Sequence, residues 1–329
     1  MIRIALDAMG GDFAPGETVR GAILATQEYN TVEVILVGNE SKINNELKKY
    51  KNVRNISVIN ATEVISTSEP PVQAIKQKKD SSMVRAVALV KDGKADAVVS
   101  CGNTGALMAS SLFGLGRVEG IERPAITSRF PSKKGKVVLL DMGANVDCKP
   151  KNLLQFAKMG SIYSEHVLGI KDPKVGLLNI GEEAEKGNEL TTSTYPLLEA
   201  SGLNFVGNVE SKEIFDGKVD VVVCDGFIGN LILKFGESTV LFVFSLLKEE
   251  FSKHPFMRFL ALLMIPAMNR LKKKVDYDAY GGAMLLGLNA VSIKAHGRAS
   301  AEAIKNAIKV AHDAVEGKVV DLISKVGEI

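Results

Sequence analysis

Short apolar runs alternate with amphipathic stretches along most of the chain. Residues 2–6, 32–37, 56–59, 97–99, 124–129, 137–141, 175–180 and 219–224 read as strands, several of them apolar throughout. That is the pattern of strands covered on both faces. Residues 17–29, 40–49, 152–167 and the stretch after Glu189 through Leu198 read as helices between them. In 152–167 the helical spacing is carried by Leu153, Leu154, Phe156, Ala157, Met159, Ile162 and Tyr163. Pro70 and Pro71 stop what precedes them, and 72–79 and 82–91 follow as two helices. This βαβ alternation predicts an α/β fold, with a mainly parallel sheet flanked by helices.

The pattern shifts after the long helix expected over 231–251. Residues 254–274 hold a dense apolar block from Phe259 to Met268, broken by Pro266 and followed by Arg270, Lys272, Lys273 and Lys274. Residues 277–289 carry Gly281, Gly282 and Ala283, 291–294 lead into His296 and Gly297, and helices over 301–316 and 319–326 close the chain. The chain, 1–329, is read as one α/β domain from which 254–274 protrudes as an amphipathic helical segment.

Five strand ends open into loops rich in Gly, Asn and Asp. In AVVSCGNTGALM, residues 97–108, Gly102 and Gly105 bracket Asn103 and Thr104 between a strand and a helix start. A helix N-terminus with unpaired N–H donors attracts anions, and glycines let a phosphate approach the main chain. The plainer reading is a tight connection with Thr104 as N-cap. The stretch matches neither GxGxxG nor GxxxxGK[ST], so no dinucleotide or Walker site is expected. The other loops offer Asp7, Gly10, Gly11 and Asp12; Asp141, Gly143 and Asn145; Lys186 and Asn188; and Asp225 and Asn230. One such loop is ordinary turn chemistry, whereas five at strand carboxyl ends are expected to meet in one crevice. Amide and backbone donors, few carboxylates, and the lack of a serine nucleophile elbow or HExxH suit an anionic substrate handled by position and electrostatics.

Composition narrows the partners. The 329 residues carry 41 Lys+Arg against 38 Asp+Glu, a net charge of +3 that is too balanced to argue for nucleic acid. Cys101, Cys148 and Cys224 are widely spaced, suggesting neither a disulfide framework nor a zinc site, and point to an intracellular protein. Met1 leads straight into a strand, so no secretory signal is expected, and no apolar run reaches the roughly 18 residues that span a bilayer.

Taken together, DAMGGDFAP (7–15), SCGNTGAL (100–107), DMGANVDCKP (141–150), LLQFAKMGS (153–161), GLLNIGEEAEKGNE (176–189), NFVGNVE (204–210), VDVVVCDGFIGN (219–230) and GGA with KAHG (281–297) resemble the phosphate acyltransferases of bacterial phospholipid synthesis. The resemblance covers nearly the whole chain; 254–274 corresponds to a variable region. It implies transfer of a long-chain acyl group from acyl carrier protein to inorganic phosphate, with the acyl phosphate then used by a membrane glycerol-3-phosphate acyltransferase. It also implies a fold like that of phosphotransacetylases and isopropylmalate dehydrogenases, a homodimer, and a cytoplasmic enzyme at the inner membrane surface. No cofactor or metal is expected.

On this reading Lys186 and Asn230 are the catalytic candidates. Lys186 aims an ammonium at phosphate or thioester oxygen, and Asn230 contributes to an oxyanion hole; the alternatives are a solvated ion pair and an N-cap. His296 is a further candidate for proton transfer or carbonyl contact. Asp7, Gly10, Gly11, Gly102, Asn103, Thr104, Gly105, Asp141, Gly143, Asn145, Asn188, Asp225 and His296 are expected to bind phosphate or acyl substrate. The acidic carrier is expected at Lys76, Lys78, Lys79, Lys272, Lys273 and Lys274, and membrane at Phe259, Leu260, Leu263, Met264 and Ile265, where a dimer contact is the alternative. The competing functions are a two-domain NAD-dependent dehydrogenase of the isopropylmalate type and a non-catalytic membrane adaptor for the carrier.

Overall fold

Strands without polar alternation need cover on both faces, and the chain supplies it with helices. The computed structural model describes residues 1–253, 263–268, 270–271 and 281–327. In it the apolar runs form two sheets. The first orders β1 (Ile2–Asp7), β2 (Val32–Gly38), β3 (Ile56–Asn60), β4 (Ala97–Ser100), β5 (Ala125–Ile126), β11 (Ala283–Leu286) and β12 (Val291–Lys294) as β3-β2-β1-β4-β12-β11-β5. Its strands are parallel from β3 to β12, and β11 runs antiparallel to both neighbours. The second orders β6 (Ser128–Ser132), β7 (Gly135–Leu140), β8 (Val175–Leu178), β9 (Phe205–Val209) and β10 (Val221–Val223) as β6-β7-β10-β8-β9, parallel except for the β6 edge.

The expected single sheet is therefore two, and the expected strand over 124–129 is the junction. Thr127 lies between β5 and β6. Its N–H donates to the Met284 carbonyl at 2.9 Å and its Oγ1 accepts the Met284 N–H at 3.1 Å. The chain thus changes sheet without leaving a buried backbone group unpaired.

Helices α1 (Gly16–Glu28), α2 (Glu40–Leu47), α3 (Pro71–Gln77), α4 (Ser82–Lys91) and α5 (Thr104–Leu115) accompany the first sheet, with α10 (Ala301–Glu316) from the chain's end, while α11 (Val319–Gly327) packs mainly on the helix over 150–168. Helices α6 (Pro150–Leu168), α7 (Glu189–Glu199) and α8 (Ser211–Asp216) accompany the second. Helix α9 (Gly226–Ser252) begins five residues before the expected Leu231, because Asp225 caps it by accepting the Ile228 N–H at 3.0 Å. An 18-residue window of α9 has mean hydropathy 1.5 and is long and apolar enough to cross a membrane by length and composition. This corrects the expectation that no stretch reaches that length. Most of 254–274 lies outside the described residues; 263–268 and 270–271 are helical.

Helices α1 and α10 meet through Gly21. A Cβ there would stand 2.6 Å from Ile304 Cγ2 and 2.9 Å from the Ala301 carbonyl. Replacing a helix-interior glycine by alanine ordinarily stabilises by about 1 kcal/mol, but overpacking costs about 1–3 kcal/mol, and here the second effect wins. Urea unfolding of Gly21→Ala is expected to show a lower midpoint than wild type; a higher midpoint contradicts the close packing.

Candidate functional site

The carboxyl ends of β4, β7 and β12 open where the two sheets meet, and a cleft of about 500 Å³ lies there. Thr104 and Gly105 bring the first turn of α5, whose N–H groups have no intrahelical acceptors. The β5–β6 junction brings Thr127, Ser128 and Arg129, the loop after β7 brings Gly143, and the loop after β12 brings Lys294 and His296. Helix α9 lays Asn230, Leu233, Lys234 and Glu237 along the opposite wall, at i, i+3, i+4 and i+7.

The wall is held by buried polar groups. The Asp141 carboxylate accepts N–H bonds from Ile126 at 2.9 Å, Ala144 at 3.2 Å and Asn145 at 2.7 Å, and a fourth from Asn145 Nδ2 at 2.9 Å. Asn145 Nδ2 also donates to the Pro124 carbonyl at 2.7 Å. Burial pushes the Asp141 carboxyl above its ordinary range, against the pull of these donors. On this loop α9 begins: a Cβ on Gly229 would stand 1.9 Å from the Asp141 carbonyl oxygen, so only glycine fits. Asn230 then packs against Gly143, whose φ of +112° is open to glycine.

A second buried carboxylate sits under the loops of the first sheet. Asp7 accepts the Ser100 hydroxyl at 2.6 Å and the Met9 N–H at 3.3 Å, and Ser100 Oγ in turn accepts the Gly102 N–H at 3.0 Å. Gly10 presses on this knot, with a Cβ position 2.5 Å from Asp7 Oδ2, and Gly11, at φ +98°, lies against Cys101 and the Gly297 carbonyl. Asp12 forms an ion pair with Arg298 at 3.4 Å. Asn103 caps α5 through Ala106 N–H at 3.0 Å, and its Nδ2 donates to the carbonyls of Thr67 and Glu69 at 3.0 and 3.1 Å. These residues shape the rim and floor without lining the cleft.

Helix α9 divides what was expected to be one crevice. A separate cleft of about 640 Å³ on its other flank is lined by Asn179, Gly187, Asn188, Asp225, Ile228 and Ile232, among others. Asn188 caps α7 there by accepting the Thr191 N–H at 3.0 Å. Lys186 is exposed on the adjoining loop, where its carbonyl accepts from Asn179 Nδ2 at 2.8 Å. Of Asp7, Asn103, Asn145, Lys186 and Asn230, only Asn230 lines the first cleft. Convergence of all five on one crevice is thus corrected: Asp7, Asn103 and Asn145 turn inward to tie loops together, and Lys186 stands across α9 from Asn230.

Three cations in the cleft were not singled out in the sequence. Arg129 is the second residue of β6, Lys234 pairs with Glu237 at 3.0 Å, and the Lys294 ammonium bonds the Ala295 carbonyl. His296 accepts the Arg298 N–H on Nδ1 at 3.2 Å, which leaves Nε2 to carry the proton in the neutral ring. Cys148 and Cys224 are poor nucleophiles here: burial pushes the Cys148 thiol up to about 11 and raises Cys224 well above its usual value.

Burial also pushes the Asp7 carboxyl up, opposed by the Ser100 hydroxyl. The folded state therefore holds this proton above the ordinary carboxylate pKa of about 4, and wild-type stability falls as pH rises through the window up to the raised value. Asn does not titrate, so the urea-measured penalty of Asp7→Asn is expected to shrink as pH rises above about 4. A penalty that grows with pH contradicts this.

With the cleft described, likenesses to known proteins take on meaning. A family model described as "Fatty acid synthesis protein" matches residues 2–322. The chain is 52% identical over 324 residues to the phosphate acyltransferase of Desulforudis audaxviator, covering 98% of this chain and 95% of that protein. It is 50% identical over 320 residues to that of Pelotomaculum thermopropionicum, covering 97% and 93%. In fold it is similar to a phosphotransacetylase from Streptococcus pyogenes, with TM-score 0.63 at 19% identity, covering 96% of this chain and 94% of that one. A 4-hydroxythreonine-4-phosphate dehydrogenase from Klebsiella pneumoniae gives TM-score 0.52 at 14% identity over 96% and 98%. Sequence identity of this extent and coverage places the chain, an enzyme, in the phosphate acyltransferase family.

Proposed function

We propose that the enzyme transfers a long-chain acyl group from acyl carrier protein to inorganic phosphate in the cleft that Asn230 lines. The acyl phosphate then serves a membrane glycerol-3-phosphate acyltransferase making phosphatidic acid. The observation that carries this reading is the meeting of the α5 N-terminus with Arg129, Lys294, His296 and Asn230 in one recess. A helix start and two fixed cations suit a phosphate dianion.

Phosphate is ionised at neutral pH and needs no covalent enzyme intermediate. One of its oxygens attacks the thioester carbonyl carbon, forming the C–O bond and a tetrahedral oxyanion. Collapse of that intermediate breaks the C–S bond, and the carrier thiolate leaves to take a proton from solvent, with His296 Nε2–H in place to donate a hydrogen bond. The Asn230 amide donates to the oxyanion, and Arg129 and Lys294 hold the phosphate charge. Lys186 is the second catalytic candidate; it lies on the other flank of α9, so its ammonium acts on the donor from that side rather than on the phosphate in the first cleft.

The outer face of α9 supports an assembly at a membrane. Phe227, Leu231, Phe235 and Phe242 are exposed along it, Phe235 by 72%, a patch that a second copy of the chain covers in a homodimer. Leu263, Met264 and Ile265 are exposed in the following helical residues and enter the headgroup boundary, with Lys272, Lys273 and Lys274 meeting anionic lipid. Phe259, Leu260 and these three lysines lie outside the described residues. Lys76 and Lys79 are exposed and suit the acidic carrier, whereas Lys78 is committed to Glu69 at 2.5 Å and to the Val64 carbonyl at 2.8 Å.

Steady-state assay of carrier thiol release tests the chemistry. Asn230→Ala and Lys186→Ala are each expected to lower kcat by about 10²–10³-fold in folded protein, the loss typical of one oxyanion donor. Wild-type kcat in both contradicts the assignment. For the membrane, wild type is expected to float with anionic liposomes and Leu263→Glu to stay behind. Retained flotation with a broken dimer instead assigns Leu263 to the contact between chains.

A further inference from the structure

A third recess, behind the β6–β7 edge of the second sheet, shares only Arg129 with the cleft used in the chemistry above. Its volume is about 550 Å³, and Arg129, Lys134, Lys136 and Lys309 line it together with Asn306, Asp220 and Asp313. Among the described residues that line it, four cationic side chains face two carboxylates, and both carboxylates have other calls on them. Asp220 accepts the Lys174 N–H at 2.9 Å, and Asp313 is shared between Lys309 and His312.

The cations are held close by backbone register. Arg129 pairs with Val138 and Pro131 with Lys136 across β6 and β7, so Arg129 and Lys136 are diagonal neighbours on one face. Like charges so placed repel. Arg129 is only 8% exposed; Lys136 is an exposed residue whose ammonium is nonetheless depressed below its ordinary range, first by partial desolvation and then by the charges of Arg129 and Lys309, against the pull of Asp313. Deeper in, the wholly buried Tyr163 hydroxyl has no hydrogen-bond partner among the described residues and feels the charges of Arg129 and Asp313.

We infer that this recess is a second anion site, which takes a small soluble polyanion carrying phosphate groups between Arg129, Lys136 and Lys309. A polyanion neutralises the crowded cations and makes charge-assisted hydrogen bonds with all three. Arg129 also lines the first cleft, so an occupant of the recess pulls on a side chain that the other cleft uses. The site itself is independent of which acyl donor the enzyme uses.

Inorganic pyrophosphate is a suitable probe, because lysine labelling read by mass spectrometry locates it without an activity assay. With the full chain at constant ionic strength, saturating pyrophosphate is expected to slow acetylation of Lys136 and Lys309 several-fold and to leave exposed Lys42 unchanged. Calorimetry on folded Lys136→Gln and Lys309→Gln is expected to show pyrophosphate binding weakened about tenfold or more in each. Protection confined to Lys234 and Lys294, with both variants binding as wild type, places pyrophosphate in the first cleft alone and overturns the inference. Equal slowing at every lysine, which reports charge screening only, overturns it as well.

Discussion

The Asp141 carboxylate is the group on which the rest of the site depends. It is wholly buried, and burying an ion costs several kcal/mol unless its oxygens are satisfied. Four hydrogen bonds satisfy them, each worth about 1.5–3 kcal/mol to a charged acceptor. The donors belong to β5 of the first sheet and to the loop leaving β7 of the second, so one side chain ties together the two sheets whose meeting forms the cleft. The same loop is the bed for α9. Its carbonyl at Asp141 and the backbone of Asn145 leave room for Gly226 and Gly229 and for no larger residue. Asn230 is aimed into the cleft because the two glycines of the turn just before it are seated there.

Helix α9 then organises three surfaces by its own period. Positions 230, 233, 234 and 237 face the first cleft, 225, 228 and 232 the other, and 227, 231 and 235 neither. A helix with polar residues on one inner flank and exposed phenylalanine and leucine outside is built to have its outer face covered.

The alternation of strands and helices was legible because burial on both faces and helical spacing leave strong local patterns. The number of sheets was not: the break falls inside an apolar stretch at Thr127, where one residue's bonds to Met284 redirect the chain. The loops were legible as glycine-rich turns at strand ends, but not the direction of their polar side chains. Asp7 and Asn103 read equally well as ligands or as tethers, and the three-dimensional neighbours Ser100 and 66–69 decide for tethers. Arg129 escaped notice because a charge at the end of an apolar strand has no local signature. Its place between two recesses depends on β6 and β7 pairing, which is a long-range fact.

Phosphate located in a crystal of the full chain tests the account most directly. It is expected at the first turn of α5, within hydrogen-bonding distance of the Thr104 and Gly105 main chain and of Arg129 or Lys294, with the Asn230 amide facing it. An ordered phosphate instead among Gly187, Asn188 and Asp225, with the first cleft empty, contradicts the placement of the reaction on this side of α9.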